Sequence, residues 1–160
     1  MLRAVPLTQS AFAPFGEVIE TGGTVPVAIN QGFAERFNDL ARVDVSMEGG
    51  TAAVSIFTVR SRPQPIAIKL MERHPLGSQT FYPLQDRPWL VLVCHDPRDP
   101  ESYHAFQASG RQGVNYGRNV WHHPLLVLEE SRFLIVDRKG PGNNLEEVWL
   151  PDGNGLLLAI

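Results

Sequence analysis

The 160-residue chain is predicted to be all-β, a sandwich or barrel with one or two short helices, and three features carry that expectation. Thirteen prolines and fourteen glycines are spread along the whole length, which leaves little room for long helices. The apolar residues fall in runs of strand length, and turn residues bound each run. Many short strands at regular spacing in one domain read as a sandwich or barrel rather than a βαβ fold.

In chain order, Thr8–Phe15 is the one convincing helix, with Thr8 or Ser10 as N-cap and Pro14–Gly16 as its stop. Gln31–Phe37 reads equally as a short helix or an edge segment. Strands are expected at Ala52–Val59, Pro65–Met71, Trp89–Cys94, Pro124–Leu128 and Arg132–Val136. Glu-Gly-Gly, Arg-Pro, Asp-Pro and Lys-Gly-Pro-Gly punctuate them. No internal repeat is visible, and residues 1–160 are read as one domain.

Bulk chemistry excludes some functions. Fourteen Lys and Arg against seventeen Asp and Glu, interspersed, give a formal charge of -3, so binding to nucleic-acid phosphates has nothing to rest on. The first residues lack the apolar core of a signal peptide, and no apolar stretch approaches the ~20 residues of a membrane-spanning helix. A cytoplasmic protein with no membrane partner is expected. Cys94, the lone cysteine, lies in an apolar run and reads as a buried structural thiol; His95 beside it points to the opposite face of a strand.

Two segments look like chemistry. In Met71–Pro83, Glu72 and His74 share a face if the strand continues, a Pro75–Gly77 turn follows, and Gln79 returns a third polar group. That layout suits a divalent cation, with oxygen from Glu and Gln and nitrogen from His. It equally suits an exposed hairpin, and spacing alone leaves both readings open. The second segment, Gly113–Leu125, packs Asn115, Tyr116, Arg118, Asn119, Trp121, His122 and His123 into a glycine-punctuated turn. Histidine there can ligate a metal or move a proton, and Asn and Arg can orient a carboxylate. At most one of His122 and His123 faces a pocket if they lie on a strand. Lesser candidates are a carboxylate-binding arm at Asn30–Gly32 and Arg36–Phe37, an Asp137–Arg138 charge pair, and Tyr103 and His104 as surface or hairpin residues.

The stretches ERHPLGSQTFYPL and QGVNYGRNVWHHPL closely resemble the corresponding motifs of the bacterial ureidoglycolate lyases, long called ureidoglycolate hydrolases. LTQSAFAPFGEVIE, INQGFAERFNDLA and FLIVDRKGPGNNLEE extend the likeness to about Glu147, so it covers nearly the whole chain; the tail after Val148 is least similar. The resemblance implies a cupin-like double-stranded β-helix, a homodimer, and cleavage of (S)-ureidoglycolate to glyoxylate and urea in allantoin and purine breakdown. It also implies a divalent metal, nickel or zinc, with no organic cofactor.

Where a cupin metal motif has His-x-His, then Glu, then a later His, this chain has Glu72, His74, Gln79 and His122. On that basis Glu72, His74 and His122 are expected to be catalytic, with His74, Gln79 and His122 holding metal. Gln79, Asn115, Tyr116 and Arg118 would hold substrate, with Trp121 as an apolar wall. Two other readings stay open: a sensor binding a glyoxylate-type small acid without turnover, and a cupin-type enzyme for another small 2-hydroxy acid derivative.

Overall fold

The computed structural model describes residues 1–160, apart from the side chains of residues 153 and 154. Its framework is two sheets lying face to face. One runs, in spatial order, Glu146–Trp149, Leu70–Arg73, Trp121–His122, Trp89–Cys94, Tyr103–Ala108 and Val5–Pro6, with Leu126–Val127 also paired to Trp89–Cys94. The other runs Gly16–Ile19, Gly113–Tyr116, Gln79–Pro83, Ser131–Lys139 and Thr51–Val59. Strands neighbouring in sequence repeatedly change sheet, as in a jelly-roll or cupin-type β-helix, but the two sheets do not close into one barrel.

The chain's most apolar run organises this framework. Trp89–Cys94 is buried at all six positions. Strand alternation sends Trp89, Val91 and Val93 to one side, where they join Phe12, Phe15, Phe81, Phe106, Tyr116, Phe133 and Ile135 between the sheets. Leu90, Leu92 and Cys94 go to the other side and pack with Ile66, Ile68, Met71, Leu126 and Leu158. A strand buried on both faces reads as a continuous apolar run, so this element was legible in the sequence.

Burial of Cys94 pushes its thiol up to about 12, with the nearby Tyr103 hydroxyl opposing burial and Asp96 adding to it. The thiolate is the reactive form. Ellman's reagent is therefore expected to label the folded protein at pH 8 far more slowly than the urea-unfolded chain; equal rates would show that Cys94 is accessible.

Other predicted elements are shifted. The helix is confined to Gln9–Phe12, capped by Thr8, whose hydroxyl accepts from the Ala11 N–H at 3.2 Å. Gln31–Phe37 divides between a 3-10 turn at Asn30–Gly32 and a strand at Ala34–Arg36, which pairs with Val27–Ile29 as a separate exposed hairpin. Pro65–Met71 splits into Ile66–Ala67 and Leu70–Arg73. Tyr103 and His104, expected as surface or hairpin residues, lie on the strand hairpinned to Trp89–Cys94; Tyr103 is buried and donates its hydroxyl to the Pro97 carbonyl at 2.7 Å, whereas His104 is exposed. Asp137 and Arg138 are no charge pair. Alternation turns Arg138 outward, where its guanidinium donates to the carbonyls of Met47, Glu48 and Pro141, and Asp137 inward. The tail after Val148 is structural: Leu157–Ala159 pairs with Leu2–Arg3 and with Ile66–Ala67. Among the described residues, no helix is long and apolar enough to cross a membrane.

Candidate metal centre between the sheets

Strand register builds the centre. Val93 lies opposite His122, and His122 lies opposite Glu72. Directly paired residues project from the same face, so His122 and Glu72 join Val93 on the side facing the second sheet. From that sheet Tyr116 pairs with Gln79. The Tyr116 ring stacks flat on His122 at 4.2 Å between centroids, with the planes 8° apart. His74, one residue beyond its strand, brings its ring to 5.2 Å from His122. Each of Glu72, His74 and His122 offers one ligand atom, and these atoms lie within 4.8 Å of one another.

The backbone sets the histidine tautomers. His74 Nδ1 lies 2.8 Å from the Asn144 carbonyl and His122 Nδ1 lies 2.9 Å from the Val120 carbonyl. A carbonyl only accepts, so each Nδ1 carries the hydrogen and each Nε2 keeps its lone pair. Asn144 serves twice, since its side-chain oxygen also accepts from the Leu76 N–H at 2.7 Å and pins the turn after His74. Both Nε2 atoms, with Gln79 Oε1, are buried and without a hydrogen-bond partner among the described residues. Glu72 Oε1 stands 3.5 Å from His122 Nε2.

The electrostatics agree with this geometry. Burial lowers the proton affinity of His74 and the neighbouring His122 ring lowers it further, outweighing the Asn144 hydrogen bond, Glu72 and Gln79. Its ring is thus held neutral at neutral pH. Burial alone would raise the Glu72 carboxyl, but the adjoining His122 imidazole, with His74 and His123 more weakly, brings it below the ordinary carboxylate value. The neighbours acting on Glu72 are histidines. Several electron-rich atoms therefore converge: the Nε2 lone pairs of His74 and His122, the Glu72 carboxylate and Gln79 Oε1. Unpaired buried polar atoms are costly, and a divalent cation would satisfy all of them at once. The residues present fit such a metal.

The other expected site residues divide. Gln79 and Tyr116 belong to the centre. Asn115 alternates to the outer face, where Thr80 Oγ1 donates to its Oδ1 at 2.7 Å and its Nδ2 donates to Glu17 and to the Arg42 carbonyl. Its polar atoms are all used structurally. Arg118 is exposed, with Nη1 against Met47 Sδ. Trp121, next to His122, points to the opposite face, packs with the second core and lies under the Arg73 guanidinium at 4.5 Å. His123 is buried with Nδ1 on the Pro124 carbonyl at 2.7 Å, and burial brings it down to about 4. Of the adjacent pair, His122 is the one in the centre. The Asn30–Arg36 hairpin is exposed and makes no part of it. Asp137, a lesser candidate as half of a charge pair, reaches the site through Gln79 instead. The cleft lined by Ala4, Leu7, Pro88, Gln107 and Gln112 is separate, with Asp86 as its titratable side chain.

The family model for ureidoglycolate lyase matches residues 1–156. The chain belongs to the ureidoglycolate lyase family. Among its relatives, ureidoglycolate lyase 1 of Rhizobium meliloti is 57% identical over 92% of this chain and 88% of its own. The ureidoglycolate lyases of Burkholderia mallei and Azotobacter vinelandii are 52% and 47% identical, each over 99% of this chain and 97% of their own. Solved structures resemble this family member only loosely. A dTDP sugar isomerase from Desulfovibrio desulfuricans has a TM-score of 0.42 and 16% identity over 81% of this chain and 82% of its own. Bacillus subtilis oxalate decarboxylase, described with Mn(II) centres, has a TM-score of 0.39 and 13% identity over 62% of this chain and 24% of its own. Neither bears on the chemistry of the site.

Proposed function

We propose that this chain is a carbon–nitrogen lyase that splits (S)-ureidoglycolate into glyoxylate and urea. The observation that carries the reading is the convergence of Glu72, His74 and His122 on one point between the sheets, in a chain about half identical to relatives named for this reaction. The substrate carbon bears a hydroxyl and a ureido nitrogen. Cleavage removes the hydroxyl proton, forms the aldehyde C=O, breaks the C–N bond and delivers a proton to the departing nitrogen, with no water consumed.

His74 Nε2, His122 Nε2 and Gln79 Oε1 are the neutral donors available to a divalent cation, nickel or zinc. Bound there, it would polarise the substrate hydroxyl and lower its pKa. Glu72, kept ionised by its histidine neighbours, is the group placed to accept that proton and return it to the urea nitrogen. Tyr116 holds the His122 ring by stacking. A cation also suits an anionic substrate here, because the centre itself carries the Glu72 carboxylate.

The wider reading is allantoin and purine-nitrogen breakdown in the cytoplasm, which an unpaired Cys94 thiol suits. The chain acts as a homodimer in this reading. Thr51–Val59 is hydrogen-bonded on one side only and exposes Val54 and Ile56, a sheet edge open to a second copy.

Elemental analysis of the purified protein, paired with urea release before and after chelation, tests the metal. Chelated protein is expected to lose at least 90% of its activity, roughly the tenfold or greater effect of disturbing a metal site, and to regain it with Ni²⁺ or Zn²⁺. Full turnover by protein shown to be metal-free would refute the metal's part. Binding without urea release would favour the sensor instead.

A further inference from the structure

The strand Ser131–Lys139 sends Phe133 and Ile135 into the core between the sheets, both fully buried. Alternation turns Asp137 to that same side, while Arg138 leaves for the loop carbonyls outside. Facing inward, Asp137 Oδ2 receives a hydrogen bond from Gln79 Nε2 at 3.2 Å. Gln79 is buried, and the two ends of its amide are nearly identical in shape but opposite in polarity. An ionised carboxylate only accepts, so Asp137 dictates which end it receives: the NH2 faces the carboxylate and the carbonyl faces away. The carbonyl oxygen so turned is one of the three buried unpartnered atoms of the centre, with His74 Nε2 and His122 Nε2. Gln79 also bears on the proton affinity of His74, which places the amide beside that ring.

We propose that Asp137 is a positioning residue for the centre: its carboxylate holds the Gln79 amide so that Oε1 is offered to the cation. The reversed amide would point its hydrogens at a positive charge. All three neutral donors are then oriented the same way, each by an acceptor behind it. The Asn144 carbonyl sets His74, the Val120 carbonyl sets His122 and the Asp137 carboxylate sets Gln79. Such partners stabilise a metal by removing the freedom of its ligands to turn away. The inference rests on the metal reading above and not on the identity of the substrate.

Calorimetric titration of the metal-stripped full chain with Ni²⁺ tests it in four proteins: wild type, Gln79→Leu, Asp137→Leu and the double variant. Leucine keeps approximate bulk and removes the hydrogen bond. Each single variant is expected to weaken Ni²⁺ binding roughly tenfold or more. The double variant is expected to be no weaker than Gln79→Leu alone, because Asp137 acts only through Gln79. The exchanged pair Gln79→Glu with Asp137→Asn keeps a hydrogen bond between the same positions and an oxygen toward the centre. It is expected to bind Ni²⁺ at least as tightly as wild type, and it decides the matter if Asp137→Leu does not fold. Wild-type affinity in Asp137→Leu, losses that multiply in the double variant, or an exchanged pair no better than Gln79→Leu would overturn the proposal. So would a wild type that binds no Ni²⁺. A wild type that shows this coupling yet releases no urea would overturn only the activity proposed above.

Discussion

Glu72→Gln is expected to lower kcat/KM for urea release by roughly 10²-fold or more, the usual effect of removing a positioned proton carrier. The amide has the shape of the carboxylate, so the Leu70–Arg73 strand and its pairing to His122 should stay intact. What it loses is the capacity to take the hydroxyl proton and return it to the departing nitrogen. Glu72 is suited to that task because His122, His74 and His123 together outweigh the desolvation that would otherwise protonate it. With one negative charge fewer, the centre should bind Ni²⁺ somewhat less tightly, so kcat at saturating Ni²⁺ is the informative number. Steady-state assays at saturating metal, with circular dichroism to confirm the fold, check it. Turnover within about threefold of wild type, far from the usual 10²-fold loss, would remove Glu72 from the proton path.

Gly16→Ala is expected to cost roughly 3 kcal/mol of stability or more, from steric overlap and backbone strain together. Gly16 has φ of +148°, in a region that side chains rarely adopt, and a Cβ there would stand 1.9 Å from the Asn115 carbonyl oxygen. The overlap is with backbone and cannot be relieved by turning a side chain. Gly16 pairs directly with Tyr116, whose ring stacks on His122. The strain is therefore delivered to the wall of the centre, and activity should fall along with stability. Thermal unfolding is expected about 10 °C or more below wild type, from the usual scaling for a chain of this size. A melting temperature within about 3 °C of wild type, a change worth roughly 1 kcal/mol, would show that the Gly16–Tyr116 pairing can shift without penalty.

How much of this was legible depended on which contacts are local. Trp89–Cys94 was readable because a strand buried on both faces writes itself as an unbroken apolar run. Gly113–Tyr116 was hidden, and its segment read as a turn. Its glycines and Asn115 resemble turn chemistry, yet Asn115 is buried because Thr80, Glu17 and Arg42 satisfy it from distant parts of the chain.

The same limit explains the site. Alternation already required that at most one of His122 and His123 face a pocket, but choosing between them needs the register of His122 against Val93. Sequence carries no mark of that register. It also decided against Trp121, an attractive pocket wall by composition whose neighbour's inward position forces it outward. Arg118 and Asn115 looked like a carboxylate clamp because they sit among histidines in sequence, whereas one is exposed and the other is spent on structure. Asp137 was seen as a possible inward charge. Its partner, Gln79, lies 58 positions away and could be found only in the folded chain.

The most direct test of a lyase centre at Glu72, His74 and His122 is the product balance from (S)-ureidoglycolate. Urea, glyoxylate and ammonia would be quantified in the same reaction with metal-loaded wild-type protein. Cleavage of the C–N bond through this centre gives urea and glyoxylate in equal amounts, no ammonia, and almost no product from Glu72→Gln. Ammonia in place of urea, or equal product from wild type and Glu72→Gln, would contradict it.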